Sequence, residues 1–126
     1  MNEAGYHPLY LRGVEHFNQC RYFESHEVWE DLWNGETGPS RLFYKGLIQA
    51  AVALHHLNRN NPHGASRLLH GSQAYLEPFR RWYLGLDVDG FLAAMQCCVD
   101  DALSSRTGVN PSLLPKIELR PRTEIA

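Results

Sequence analysis

The sequence predicts an all-α fold, a compact multihelical array of about five helices with an extended C-terminal strap. Apolar residues recur every three or four positions in five successive segments, and this spacing places them on one face of a helix. Proline, asparagine and aspartate stand where helices begin, and no run alternates long enough to indicate a sheet. A length of 126 residues is that of one domain.

The first three helices are predicted at residues 8–18, 21–34 and 39–59. Pro8 suits the first position of a helix, because that position needs no backbone N–H donor. The second helix runs into the stretch NGETG, where Gly35 suits a left-handed C-cap. A proline opens the third helix, and the connections between the helices are short.

The stretch NRNNPHGA marks the junction between the third helix and a fourth, predicted at residues 62–84. Asn60 can adopt the left-handed conformation that ends a helix, and Asn61 can cap the helix that follows. Pro78 must kink or split the fourth helix, because it removes a backbone donor.

The stretch LGLD is predicted to separate the fourth helix from a fifth at residues 88–104, with Asp87 as the cap of the fifth helix. Residues 1–105 are therefore expected to form a single all-helical domain. Residues 106–126 are rich in proline and polar residues but contain LLPKIEL. Its apolar side chains predict an extended tail that packs on the domain.

The composition excludes several classes of partner. The formal net charge is −2, and without a basic stripe no nucleic-acid partner is expected. The longest apolar run, GLIQAAVALHHL, is too short and too polar to cross a bilayer, so no membrane partner is expected. Cys20, Cys97 and Cys98 lack Cys-x-x-Cys spacing, and no signal peptide is recognisable, which indicates a reduced cytoplasmic location.

The stretch YFESHEVWEDLW, residues 22–33, places a histidine and a glutamate among aromatic residues. On a wheel of about 100° per residue, His26 and Glu30 lie within an aromatic arc, with Trp33 on one side and Phe23 on the other. A helix with this much aromatic surface must bury it. The two polar side chains are neighbours one turn apart, and we expect them to be buried or half-buried and to need partners.

The third helix is expected to supply those partners. There, Lys45, Gln49 and His56 form a narrow polar seam in an otherwise apolar segment, and His55 falls away from it on the wheel. Small residues beside the seam would let another helix approach closely. If the second helix lies there, Gln49 can reach the His/Glu pair.

The leading functional hypothesis is a non-enzymatic binding or interaction module whose partner is a small molecule or a protein. The polar cluster that would organise its groove between the second and third helices contains His26, Glu27, Glu30, Trp33, Gln49 and His56. A homodimer is a further expectation for an aromatic-rich domain of this size. In the opposing structural hypothesis the pair only braces the fold, and Glu30→Ala would then cost roughly 3–5 kcal/mol.

The alternative function is a metal-dependent hydrolase. The stretch HEVWE reads His-Glu-x-x-Glu, one residue away from the His-Glu-x-x-His signature of zinc peptidases. His26 and Glu30 would bind a divalent metal with a third ligand from His55, His56 or elsewhere, and Glu27 would be the base. No nucleophile motif or phosphate-binding loop is present, so no catalytic residue is assigned.

Two stretches together resemble the small prokaryotic proteins of the family called domain of unknown function 309: FNQCRYFESHEVWEDLW and FYKGLIQAAVALHHLNRNNPHGASRLL. The similarity covers about residues 8–105. The positions that carry it are Phe17, Asn18, Tyr22, Phe23, Glu24, His26, Glu27, Glu30, Trp33, Leu47, Ile48, Gln49, Gly64 and Ala65. The resemblance implies a compact multihelical domain and groups Gln49 with the His/Glu stretch, but it supplies no activity, substrate or cofactor. Cys20 departs from it, since the family often has glycine there.

Overall fold

The computed structural model describes residues 5–105 and 107–121, so residues 1–4, 106 and 122–126 of the predicted domain and tail lie outside the described part. The α-helices in the described part are α1 (Pro8–Asn18), α2 (Tyr22–Gly35), α3 (Ser40–Asn58), α4 (Pro62–Leu76) and α5 (Val88–Ser104). The predicted all-α class is confirmed, and all but the fourth helix agree with the prediction closely. None of these helices combines the length and apolar character that crossing a membrane requires.

The fourth helix is shorter than the sequence predicted. It ends at Leu76 rather than at residue 84, and a 3₁₀ turn follows at Glu77–Phe79. Pro78 lies inside this turn, where its missing N–H donor cannot continue the α-helical hydrogen bonds. The proline therefore splits the predicted helix.

A two-stranded antiparallel hairpin fills the rest of the segment that was predicted as helix. Strand β1 (Trp82–Tyr83) pairs with β2 (Leu86–Asp87). The two turn residues between them, Leu84 and Gly85, have φ values of 46° and 78°, as a tight two-residue hairpin turn requires. Strands of two residues are too short to show an alternating pattern, so the periodicity of the sequence did not reveal them.

Two helices end in the same way. Cys20 after α1 and Asn60 after α3 adopt the left-handed conformation, with φ values of 62° and 60°. In each case the N–H of the next residue donates to the carbonyl five positions back, at 2.9 Å. Asn61 caps α4 as predicted, because its side chain accepts from the Gly64 N–H at 3.0 Å. The predicted left-handed cap at Gly35 is wrong, because that glycine is the last residue of α2 and its φ is not positive.

Helix α3 lies at the centre of the array. It packs against α2 on one side and α4 on the other, while α1 packs on α2 and α5 on α4. A buried serine joins each of two neighbouring pairs, α1–α2 and α3–α4: the Ser25 hydroxyl donates to the Gly13 carbonyl at 2.8 Å, and the Ser72 hydroxyl to the Gly46 carbonyl at 2.7 Å. Glycine has no side chain to hold the neighbouring helix away, so these contacts are close.

An extended C-terminal strap packs on the helices, as predicted from the sequence. The Asn18 side chain donates to the Ile117 carbonyl at 2.8 Å and accepts from the Ile117 N–H at 2.7 Å, and the Ile117 side chain is buried. Further along, the Arg120 N–H donates to the Gly85 carbonyl at 3.0 Å. The Arg120 guanidinium lies 3.6 Å over the ring of Trp82. The strap thus ties α1 to the hairpin.

A candidate binding site between α2 and α3

The buried face of α2 lies to one side of the His/Glu pair. Its buried side chains are Tyr22, Ser25, Trp29 and Leu32. His26 lies at the edge of this face, and Glu30 and Phe23 lie farther round the helix. The His26 side chain is accordingly 22% exposed and that of Glu30 47% exposed, while Phe23 is 49% exposed. His26 and Glu30 therefore both meet the expectation of at least half burial.

The two polar side chains pair with each other. His26 Nε2 lies 2.8 Å from Glu30 Oε1. Within the described residues, His26 Nδ1 is shielded from solvent and has no hydrogen-bond partner. The second helix therefore supplies both members of the polar pair, and the third helix contributes ring and apolar contacts rather than a hydrogen bond.

The partial exposure of Glu30 predicts a small stability effect. We expect Glu30→Ala to lower the free energy of unfolding by less than about 1 kcal/mol, because a surface ion pair gains little over its hydrated groups. Urea denaturation at pH 7 measures this change. Glu27→Ala is the matched control, since Glu27 is an exposed glutamate of the same helix. A loss of roughly 3–5 kcal/mol for Glu30→Ala alone would show that the pair is a brace after all.

A small apolar pocket opens beside this pair, where α2 meets α3. Its walls come from Tyr22, Phe23 and His26 of α2 and from Val52 and His55 of α3, and its volume is about 100 Å³. The Phe23 ring lies between two imidazoles, with centroids 5.5 Å from His26 and 5.6 Å from His55. Three aromatic rings therefore lie side by side in the wall of the pocket.

The electrostatics of His55 suit an apolar wall. Burial lowers the pKa of His55 below its usual value, and the nearby Arg59 guanidinium lowers it further, while Glu24 acts in the opposite direction. The uncharged imidazole is therefore favoured at neutral pH. The sequence placed His55 away from the polar seam of Lys45, Gln49 and His56, and in the structure His55 is a wall of the pocket.

Trp33 occupies the other end of the α2–α3 contact. The Arg41 guanidinium lies 3.7 Å from the centroid of its ring, and the Lys45 ammonium 4.9 Å from it. Contacts of this kind between a cation and an aromatic face are attractive. Lys45 therefore belongs to the α2 side of α3, as predicted, but its partner is the tryptophan rather than the His/Glu pair.

Two other members of the predicted cluster face α4. A Cβ atom added at Gly71 would lie 2.0 Å from Gln49 Oε1, so this amide lies against α4. His56 Nδ1 is 3.2 Å from Asn61 Nδ2 at the junction of α3 and α4. Gln49 and His55 are six residues apart. At about 100° per residue this is a rotation of about 600°, so the two side chains lie about 120° apart round the helix. The structure does not bring Gln49 or His56 to the His/Glu pair.

The predicted metal ligands do not converge. Within residues 5–105 and 107–121, no group of three or more His, Cys, Asp or Glu side chains is placed to hold a metal ion. The ring of Phe23 contacts both His26 and His55, and Glu27 is exposed. This geometry gives the hydrolase hypothesis no support.

A larger polar cleft of about 400 Å³ lies between α4 and α5. Its charged and amide groups bind one another. Arg80 pairs with Glu77 at 3.1 Å and with Asp89 at 2.6 Å, and Gln73 Nε2 donates to Gln96 Oε1 at 2.7 Å. Because these groups are already paired, the cleft is a weaker candidate than the apolar pocket.

The comparison with protein families confirms the resemblance. Residues 10–68 match the family described as "Domain of unknown function (DUF309)". Over these residues the chain is similar to this family. The matched residues contain α2, α3 and every wall of the apolar pocket, so the candidate site lies in the part of the chain that defines the family match.

A related chain is the "Uncharacterized protein YpuF" of Bacillus subtilis (strain 168). It is 38% identical in an alignment of 95 residues, and the alignment covers 72% of this chain and 55% of the relative. The present chain therefore spans about half the length of that relative. The similarity extends beyond the residues that match the family.

Proposed function

We propose that this protein is an interaction module whose α2–α3 pocket holds one apolar side chain of a protein partner. The observation that carries the proposal is the preformed pocket between α2 and α3, with the half-exposed ring of Phe23 at its mouth. Protein interfaces are commonly anchored by side chains that fill well-packed pockets near the centre of the contact.

The size of the pocket favours a side chain over a whole metabolite. Pockets that bury small-molecule ligands usually measure about 300–1,000 Å³, and this pocket measures about 100 Å³. An apolar cavity of roughly 150 Å³ accepts benzene. A leucine side chain or a group of similar size is therefore the occupant that fits.

The polar surroundings resemble the rim of an interface. The His26 and Glu30 side chains are paired beside the apolar walls, and the exposed part of Glu30 can still accept hydrogen bonds from a partner. A hydrophobic centre with a polar, solvent-accessible rim is the usual composition of protein–protein contact surfaces. The three cysteines are free, as is usual for proteins of the reducing cytoplasm. We therefore propose a cytoplasmic location.

The test uses N-acetyl-leucinamide as a probe of the pocket. Burial of one leucine side chain contributes about 2–3 kcal/mol, so we expect a dissociation constant on the order of 10 mM. In ¹H–¹⁵N NMR titrations, the shift changes should be centred on His26, Val52 and His55. Val52→Phe fills the pocket and should abolish these changes.

Leu42→Phe is the matched control, because it adds an aromatic ring at an exposed position of α3 outside the pocket. It should bind the probe like the original protein. The proposal is wrong if the probe causes no localised shifts, or if Val52→Phe binds it as well as Leu42→Phe does.

A further inference from the structure

Helix α2 carries a strong negative charge next to the pocket. Between Tyr22 and Gly35 it contains Glu24, Glu27, Glu30 and Asp31 but no lysine or arginine. Only Glu30 has an ion-pair partner within residues 5–105 and 107–121, and that partner is a histidine of the same helix. The exposed side of α2 therefore presents Glu27 and Asp31 with no ion-pair partner among the described residues.

These acidic groups continue the line of the pocket. Phe23, Glu27 and Asp31 follow one another at intervals of four residues, so they form one row along the exposed side of the helix. The row is about 12 Å long at 1.5 Å per residue. Its far end approaches the C-terminus of α2, where the helix dipole adds partial negative charge.

The cations of α3 leave this row uncovered. Arg41 and Lys45 lie over the ring of Trp33, at the other end of the helix contact. Arg59 is near His55, at the pocket rather than along the row. A partner that lies on the row must bring its own positive charge to pair with the carboxylates.

We infer that the partner segment is cationic and amphipathic, with one apolar side chain in the pocket and lysine or arginine side chains along the Phe23–Glu27–Asp31 row. The inference rests on the proposed function, because the pocket fixes where the segment docks. Charge complementarity of this kind sets the orientation of a partner and speeds its association. A helix with its cations one and two turns from the apolar residue matches the spacing of the row.

Three helical peptides of about twelve residues provide the test. The first carries one leucine with lysines four and eight positions away, the second has glutamates in place of the lysines, and the third has serine in place of the leucine. Isothermal titration at about 20 mM salt should show that the leucine–lysine peptide binds roughly tenfold tighter than either of the others. The advantage over the glutamate peptide should shrink towards 1 M salt, because salt screens exposed charges.

A variant pair locates the charge effect on α2. Glu27→Gln should weaken the leucine–lysine peptide about threefold and leave the binding of N-acetyl-leucinamide unchanged. Asp100→Asn on α5 removes an equal charge from an exposed position of another helix and should change neither. Equal weakening by both variants would mean that only the overall charge matters, which would overturn the inference.

The remaining outcomes separate this inference from the proposed function. If the lysine and glutamate peptides bind equally while the probe still titrates the pocket, the cationic partner is wrong and the pocket stands. If neither peptide nor probe binds, the proposed function is wrong as well. If sedimentation shows a dimer that Val52→Phe converts to a monomer, a second copy of this chain occupies the pocket, and the inferred partner is wrong.

Discussion

Replacement of Trp29 by alanine should lower the free energy of unfolding by roughly 3–5 kcal/mol. Trp29 is fully buried between α1 and α2, and its ring centroid lies 5.9 Å from that of Phe17. Its indole N–H donates to the Tyr10 carbonyl at 3.2 Å. Alanine would leave a large cavity and would also leave this buried carbonyl without the indole donor, and both effects destabilise.

Urea denaturation followed by circular dichroism measures this loss. Trp82→Ala is the matched control, because Trp82 is a partly exposed tryptophan of the hairpin that contacts Arg120. We expect its effect to be less than half as large. Similar losses for the two variants would contradict the assignment of Trp29 to the centre of the α1–α2 contact.

The second large effect is expected for Gly13→Ala. A Cβ atom at Gly13 would lie 2.0 Å from Trp29 Nε1, and the indole is fully buried. Alanine normally stabilises a helix relative to glycine by about 0.5–1 kcal/mol. Here the steric clash should reverse the sign, with a net loss of roughly 1–3 kcal/mol, the usual cost of overpacking a core.

Gly35→Ala is the control for this substitution. A Cβ atom at Gly35 has no neighbour within 4 Å among the described residues, and the glycine does not have a positive φ. Thermal unfolding should therefore show an unchanged or slightly higher Tm for Gly35→Ala and a clearly lower Tm for Gly13→Ala. A stable Gly13→Ala variant would mean that α1 and α2 are farther apart than the structure indicates.

Local signals in the sequence were sufficient to predict most helix boundaries. Asn60, Asn61 and Asp87 each act through their own backbone conformation or their own side-chain cap, and these effects extend over only a few residues. The fourth helix was predicted too long because its apolar spacing continues past Pro78. Periodicity cannot distinguish a continued helix from a 3₁₀ turn followed by a two-residue hairpin.

The candidate site was predictable only in part. The spacing of His26 and Glu30 was sufficient to predict their contact, because residues four apart on a helix are neighbours. The assignment of Gln49 and His55 required the rotation of α3 relative to its neighbours. Since α3 packs against both α2 and α4, its polar residues divide between two contacts, and a wheel of one helix cannot show which neighbour each of them faces.

The sequence predicted a groove between the second and third helices, but it did not predict this apolar pocket. Its volume depends on how closely two helices approach and on where Val52 and the surrounding rings come to rest, which are properties of packing. One signal was present in the sequence. Phe23 lies at the far edge of the aromatic arc, in the same row as Glu27, where a large apolar residue contributes little to the core.

The most direct test of the proposed site is an intermolecular nuclear Overhauser experiment with N-acetyl-leucinamide near saturation. We predict contacts from the leucine methyl protons to the Val52 methyl groups and to the ring protons of Phe23 and His55. Such contacts would place an apolar side chain inside the α2–α3 pocket. Contacts confined to another surface, or none from a bound probe to these residues, would show that the pocket does not hold an apolar side chain.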